Sequence, residues 1–187
     1  HEVSIFEQGT IPNERASSTD LCKVIRRTSY EGSYLELVER AAHQWQTWHR
    51  ELSGAIYYRT GKLDIVRDFA PGESHYKSWE ILGEGEGGLE ILSPAAARRR
   101  FPVFELHPSD TLLFDPWAGY LRSAQALEDL AALARSQGVQ IREETPVKKI
   151  AVAGGGVDII CAEATERFDR VVVAAGPWIA RLCPSLG

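Results

Sequence analysis

Apolar residues follow two different spacings along the chain, and the spacing decides which element each stretch predicts. Residues 33–52 and 121–137 carry apolar side chains at steps of three and four, which is typical of amphipathic helices. Shorter apolar runs bounded by polar residues or glycine predict strands at residues 3–6, 23–26, 55–66, 89–92, 111–114, 139–141, 147–152 and 157–161. Residues 170–175 form one continuous apolar run, which predicts a strand buried on both faces.

Cap and turn residues support this division. Ser93 followed by Pro94 is a helix N-cap with proline at the first helical position, so a short helix is expected to begin there. Residues 75–82 predict another short helix, and the glycine-rich residues 153–156 predict a hairpin loop. Because helices and strands alternate along the chain, the sequence predicts an α/β fold.

Composition and charge exclude some classes of function. The chain has 187 residues, of which 44% are hydrophobic and 25% charged, and its net charge is -5. A nucleic-acid or anionic membrane surface needs a basic face, so neither partner is expected. No apolar run approaches the ~20 residues of a membrane span. The three cysteines, Cys22, Cys161 and Cys183, are widely spaced, which predicts reduced thiols in an intracellular compartment and no metal site.

The two ends of the sequence have unusual features. The chain starts with His1, contains no methionine, and stops at Gly187 soon after an apparent helix start. We therefore expect it to be a fragment of a longer polypeptide.

A literal G-x-G-x-x-G pattern occurs at Gly83, Gly85 and Gly88. A phosphate-binding loop of this kind follows a strand and opens a helix, so that backbone N–H groups face the pyrophosphate. This one follows a predicted helix and contains two glutamates that would repel phosphate. We interpret it as a surface loop.

Glu7 comes directly after the first predicted strand. A dinucleotide-binding fold places at this position a carboxylate that accepts hydrogen bonds from the ribose hydroxyls. The pattern alone also fits a solvated glutamate at a strand end.

Two further segments carry candidate chemistry. Arg26 has the guanidinium that binds a carboxylate with two hydrogen bonds, and Lys23 could supply positive charge near a flavin ring. Both also fit solvated surface cations. Ala175 and Gly176 end the apolar run, where small residues let backbone approach a ligand, although plain packing explains them equally well.

Together these segments resemble the D-amino-acid oxidase-like flavoproteins, and most of all the monomeric sarcosine oxidases and fungal amadoriases (fructosyl amino acid oxidases). The resemblance covers nearly the whole chain and rests on five stretches in the same order. They are the strand ending at Glu7, residues 16–26, residues 45–63, residues 114–121, and residues 144–147 with 169–178.

The resemblance implies a role for several residues in binding FAD. Glu7 matches the acid on the adenosine ribose, and Val147 matches the residue whose backbone meets the adenine. Ala175 and Gly176 match the strand end near the FAD.

It also implies a substrate side. Ser17, Ser18 and Lys23 match the segment beside the flavin, and Arg26 matches the arginine that binds the substrate carboxylate. Lys23 stands where sarcosine oxidases usually have arginine and amadoriases have lysine, which favours amadoriase-like substrates.

The implied fold is an incomplete Rossmann-like FAD-binding domain with an interleaved α+β substrate domain. Residues 1–54 and 116–187 would form the two parts of the FAD-binding domain, whose first strand and glycine loop are missing, and residues 55–115 a part of the substrate domain.

The implied activity is oxidation of a secondary amine or N-substituted amino acid, with hydride transfer to flavin and formation of hydrogen peroxide from dioxygen. The alternatives are a related dehydrogenase with another electron acceptor, and an inactive fragment or interaction module. The resemblance implies a cytosolic or peroxisomal location.

Overall fold

The computed structural model describes residues 2–28, 32–52 and 54–183, which form two compact units. One unit is Cys22–Arg122, and the other combines His1–Leu21 with Ser123–Gly187. The predicted boundaries of the FAD-binding and substrate domains concern function, and they stay a prediction. The helices in the described ranges are too short or too polar to cross a membrane.

The strands are short, as follows: β1 (Ser4–Phe6), β2 (Lys23–Ile25), β3 (Tyr57–Tyr58), β4 (Lys62–Val66), β5 (Glu90–Leu92), β6 (Thr111–Asp115), β7 (Gly119–Leu121), β8 (Gln140–Arg142), β9 (Lys149–Ala153), β10 (Gly156–Ile160) and β11 (Thr165–Phe168). The helices are α1 (Ser33–Glu51), α2 (Ser74–Leu82), α3 (Pro94–Arg100), α4 (Ser123–Ser136) and α5 (Ile179–Leu182). A single 3₁₀ turn, Gly176–Trp178, precedes α5.

In the discontinuous unit, β1 pairs in parallel with β8, and Ile5 lies opposite Ile141. A separate antiparallel sheet has the order β11–β10–β9. Its β9–β10 hairpin turns through Gly154 and Gly155, which both have positive φ (55° and 77°), the conformation that favours glycine in tight hairpins. The predicted hairpin loop is therefore confirmed.

The unit Cys22–Arg122 contains two antiparallel sheets, with the orders β2–β7–β3 and β4–β6–β5. The central strand β6 is buried over four of its five residues because strands flank both its edges. Leu112 from β6 packs with Ala97 of α3 and with Leu106 to form the core. The Ser93 hydroxyl accepts a hydrogen bond from the Ala96 N–H (3.2 Å), which confirms the predicted cap of α3.

The remaining helices and most strands agree with the predicted spacing, but the apolar stripe of α1 is displaced. Tyr34 fits the predicted apolar spacing of residues 33–52 but is exposed, whereas Ala42 is the buried residue of the helix. Strands β7 and β11 were not predicted, because neither contains an apolar run: their sequences are Gly-Tyr-Leu and Thr-Glu-Arg-Phe.

The prediction of a strand buried on both faces at residues 170–175 is wrong. These residues lie outside every strand, and Val172 is 91% exposed. A parallel strand is stable only when a neighbour pairs with its backbone, and no described strand pairs with this segment. The apolar run is therefore irregular chain in which exposed and half-buried residues alternate.

Candidate cofactor and substrate site

Glu7 follows β1 and is held through its backbone. Its N–H donates to the Arg142 carbonyl (2.9 Å), and its own carbonyl accepts from the Thr145 N–H (2.8 Å). These two bonds extend the β1–β8 pairing by one residue, so Glu7 stands at the carboxyl end of two parallel strands. Ligands of open α/β sheets bind at such strand ends.

The Glu7 carboxylate is half-buried, and its two oxygens differ in their surroundings. Oε1 accepts the Gly9 N–H (2.9 Å) and the Asn13 side-chain amide (2.7 Å). Oε2 accepts no hydrogen bond from any residue in the described ranges, so it keeps its acceptor capacity for another molecule.

Val147 lies on the chain that leaves β8, two residues after Thr145, whose N–H donates to the Glu7 carbonyl. The next residue, Lys148, donates its N–H to the Ile160 carbonyl (2.8 Å), which starts the pairing of the following hairpin. Val147 itself forms no backbone hydrogen bond with a described residue. Its N–H and C=O therefore offer one donor and one acceptor, the pair that an adenine edge needs.

The polar groups of Glu7 and Val147 indicate whether this chain can hold the adenosine end of FAD. A half-buried carboxylate oxygen with unused acceptor capacity suits a ribose hydroxyl, and an unpaired backbone donor and acceptor suit a base. The groups that Glu7 and Val147 present therefore fit the adenosine end of FAD. The glycines at 83–88 do not contribute, because they connect α2 to β5 instead of opening a helix.

The other cofactor candidates lie on exposed turns of the same unit. Ser17 and Ser18 are exposed in a turn in which the Thr19 N–H donates to the Ala16 carbonyl (3.0 Å). Gly176 has φ 52° and open space around its Cα, and the Ala175 carbonyl accepts from the Trp178 N–H (3.1 Å). No hydrogen bond among the described residues joins these residues to Glu7, so their roles stay predictions.

Arg26 lines a small cleft between the end of β2 and α1. The cleft has a volume of about 120 Å³ and is otherwise apolar, with Val24, Ile25, Val38, Ala41 and Trp45 around it. A guanidinium in an apolar cleft can pair with one carboxylate of a small molecule. A second cavity of about 180 Å³ beside β1 and α4 is lined by apolar side chains only, so it lacks a group to orient a ligand.

Lys23 is not brought to the same cleft. It begins β2 opposite Leu121 and does not line the cleft, although the next two residues of the strand, Val24 and Ile25, do. The two predicted cations therefore do not line one cavity within this unit.

Sequence reasoning missed a buried ion pair next to Arg26. The guanidinium of Arg27 donates through one Nη to Asp115 Oδ1 (2.7 Å), and both residues are almost inaccessible, at 4% and 0% exposed. Arg27 also donates to the Gly87 carbonyl (2.8 Å) and lies 5.1 Å from the centre of the Trp117 ring. The one available signal was an aspartate ending an otherwise apolar strand.

A second polar cluster continues from the first. Thr28 donates to Asp64 Oδ2 (3.1 Å) and accepts from Lys62 Nζ (3.1 Å), which also pairs with Asp64. The His75 ring lies 3.7 Å from Asp64. Together with the Arg27–Asp115 pair, this cluster fixes the chain that follows Arg26 against β4 and β6.

The groups whose pKa values are shifted are not among these candidate residues. Burial raises the pKa of the Tyr57 phenol and of the Cys161 thiol, and the charge of Glu166 raises the latter further. A hydrogen bond from Arg142 lowers the pKa of the Glu166 carboxyl. These groups lie within strands or next to them, and their shifts come from burial and from the Arg142–Glu166 ion pair.

The whole chain matches one protein family. The family model described as FAD dependent oxidoreductase (DAO) covers residues 1–187. N-methyl-L-tryptophan oxidase of Yersinia pestis (strain Pestoides F) is 25% identical over 185 residues, which are 98% of this chain and 49% of that protein. The chain thus spans about half the length of the curated relatives it matches.

Solved structures share the fold at low identity. NikD, an amino acid oxidase essential for nikkomycin biosynthesis, superimposes with a TM-score of 0.83 at 22% identity, over 100% of this chain and 48% of that one. Fructosyl peptide oxidase gives a TM-score of 0.80 at 20% identity, over 95% and 44%. The mixed α/β fold therefore matches about half of each of these structures.

Proposed function

The chain belongs to the FAD-dependent oxidoreductase family, and from this membership we propose that it carries the adenosine-binding part of an FAD site in an enzyme that oxidises a secondary amine or N-substituted amino acid. Its curated relatives are about twice its length. The activity is therefore proposed for the whole protein.

One observation carries the proposal for this chain. Glu7 stands at the end of β1 with Oε1 fixed by two donors and Oε2 left without a donor among the described residues. Val147 adds an unpaired backbone donor and acceptor nearby. The Glu7 carboxylate binds a ribose hydroxyl, and the Val147 backbone binds the adenine edge. Ser17, Ser18, Lys23, Ala175 and Gly176 complete the proposed cofactor-binding set.

Bound FAD would supply the acceptor for the hydride that leaves the carbon next to the substrate nitrogen, with dioxygen as the second substrate and hydrogen peroxide as a product. The residues of this chain bind and orient. Arg26 pairs with the substrate carboxylate in its apolar cleft, and the substrate's apolar part lies against Trp45. Lys23 contributes positive charge that stabilises negative charge developing on the cofactor.

Three considerations support this substrate class. The relatives include proteins named N-methyl-L-tryptophan oxidase and fructosyl peptide oxidase, and both names contain an amino acid or peptide that carries a substituent. A cleft of about 120 Å³ with one cation suits the carboxylate end of such a molecule. Lysine at position 23 favours fructosyl amino acids over sarcosine.

The first test is binding of FAD to the purified chain. We expect the flavin absorbance near ~450 nm to remain with the protein after desalting. Glu7→Gln keeps the shape of the side chain and removes its charge, so FAD should bind roughly 10- to 100-fold more weakly, because a hydrogen bond to a charged group contributes about 1.5–3 kcal/mol. Glu14→Gln is the matched control, since Glu14 is exposed in the loop that follows Glu7 and its carboxylate has no hydrogen bond or ion pair with a described residue.

Two outcomes would contradict the proposal for this chain. One is a protein that stays colourless after incubation with a large excess of FAD. The other is equal affinity of the Glu7→Gln and Glu14→Gln variants for FAD. If FAD binds, the loaded protein is mixed with sarcosine, an N-methyl amino acid and a fructosyl amino acid, and hydrogen peroxide is measured with a peroxidase. Flavin reduction without peroxide would instead favour a dehydrogenase.

A further inference from the structure

Asn13 holds the Glu7 carboxylate through a hydrogen bond between the two side chains. It lies six residues after Glu7, is half-buried, and donates from Nδ2 to Oε1 at 2.7 Å. The second donor to the same oxygen is the Gly9 N–H at 2.9 Å. A carboxylate oxygen has room for about two donors, so Oε1 is saturated.

The orientation of the Asn13 amide is set by its own partners. Its Oδ1 accepts the Arg15 N–H (3.0 Å), which leaves Nδ2 as the group that faces Glu7. The Asn13 carbonyl accepts from the Ala16 N–H (2.9 Å), so the backbone of the turn is also held. A flipped amide would place two oxygens against each other at Glu7 and would lose the bond to Arg15.

The loop that carries Asn13 is tied to the chain after β8. The Ile11 N–H donates to Glu143 Oε1 (2.6 Å), and the Glu144 N–H donates to the Gly9 carbonyl (2.8 Å). Glu143 is in turn paired with Arg135 of α4 (2.7 Å). The loop therefore holds the Asn13 amide in place before a ligand binds. Little conformational entropy is lost in keeping its hydrogen bond to Glu7 when the ligand arrives.

We infer that Asn13 is a positioning residue that makes Glu7 a one-oxygen acceptor, with Oε2 directed to the ribose diol of an adenosine diphosphate group. This inference rests on the proposed function. The consequence is specificity for the sugar. The site distinguishes a ribose from a sugar that lacks the diol hydroxyls, and Asn13 contributes to the binding affinity only when those hydroxyls are present.

The test measures affinity for ADP and for 2′,3′-dideoxy-ADP, by calorimetry or by competition with FAD. Unsubstituted protein should bind ADP at least tenfold more tightly than the dideoxy compound. Asn13→Ala should weaken ADP binding about tenfold and leave dideoxy-ADP binding unchanged, because the carboxylate loses the donor that orients it. Gln8→Ala is the matched control, since Gln8 is an exposed carboxamide beside Glu7 whose side chain has no hydrogen bond with a described residue, and it should change neither affinity.

Asn13→Asp is the second variant, in case alanine disturbs the loop. It keeps the size of the side chain and replaces the donor with a carboxylate, so it should weaken ADP binding more than alanine does. Circular dichroism of each variant checks the fold.

Four results would overturn the inference. If Asn13→Ala weakens both ligands equally, Asn13 supports the loop without positioning Glu7 for the diol. If a folded Asn13→Asp variant binds ADP normally, Asn13 does not position Glu7. If the unsubstituted chain binds neither FAD nor ADP, the proposed cofactor site falls together with this inference. Binding of FAD that is unaffected by Asn13→Ala rejects the inference alone.

Discussion

Replacing Asp115 with asparagine should destabilise the unit Cys22–Arg122 far more than any exposed charge change. The substitution keeps the size of the side chain and removes the charge that pairs with Arg27. Arg27 is 4% exposed, so its guanidinium cannot regain water without moving. Breaking a buried pair from one side costs about 3–5 kcal/mol.

The structure favours the lower end of that range. Arg27 keeps its bond to the Gly87 carbonyl and its position over the Trp117 ring, and the new side-chain oxygen can still accept one of its donors. We therefore expect a loss of about 3 kcal/mol, which is more than a hundredfold in the unfolding equilibrium.

The assay is urea unfolding followed by tryptophan fluorescence. Four of the five tryptophans, at positions 45, 48, 79 and 117, lie within this unit, so the signal reports mainly on its unfolding. Glu90→Gln is the control, because Glu90 lies on the neighbouring strand β5 and pairs with Arg100 where both side chains are about 40% exposed. That loss should stay below about 1 kcal/mol.

A double-mutant cycle separates pairing from packing. Arg27→Met alone leaves the Asp115 carboxylate buried without its main partner, and adding Asp115→Asn removes both charges. The double variant should be more stable than the sum of the single losses implies, since no isolated charge remains. Equal losses for Asp115→Asn and Glu90→Gln would refute the reasoning, and so would strict additivity in the cycle.

Three further predictions concern packing and titration. Gly119→Ala should cost about 1–3 kcal/mol in thermal or urea unfolding, because the new Cβ would stand 2.1 Å from the Tyr58 carbonyl oxygen; an unchanged midpoint would contradict this. Glu166 has a lowered pKa, so its stabilising effect is present above the ordinary carboxyl pKa and is lost as the pH falls through the lower folded value; the stability gap to Glu166→Gln should close in acid. The Cys161 thiol, whose pKa burial raises, should react with iodoacetamide at pH 8 more slowly than exposed Cys22, and mass spectrometry of the labelled peptides would show the reverse order if this is wrong.

The elements that could be predicted from the sequence depend on local interactions. Helices α1 and α4, the cap at Ser93 and the glycine hairpin between β9 and β10 are set by residues a few positions apart. Strand β7 has three residues and exists because β2 and β3 pair with it from distant parts of the chain. The apolar run at residues 170–175 shows the opposite case, since strand-forming residues without a pairing neighbour do not make a strand.

The candidate site likewise contains residues that a local pattern predicts and residues that only the tertiary structure reveals. Glu7 was predicted because its signal, an acid after an apolar strand, is local. Asn13 had no such signal, since its role depends on how a loop folds back on the strand end. The Arg27–Asp115 pair joins residues 88 positions apart, so only the tertiary structure shows it.

The order of chain segments has a consequence for how this protein folds during synthesis. Strand β1 is made early, but its hydrogen-bonded neighbour β8 emerges only after the whole of Cys22–Arg122. The intervening unit closes on itself, because Lys23 near its start pairs with Leu121 near its end. It therefore joins its first and last strands before β8 leaves the ribosome, whereas among the described strands β1 pairs only with β8. Contacts this far apart in sequence form slowly, so the β1–β8 pair forms later than the sheets of Cys22–Arg122, and until then β1 can pair wrongly with other nascent chains.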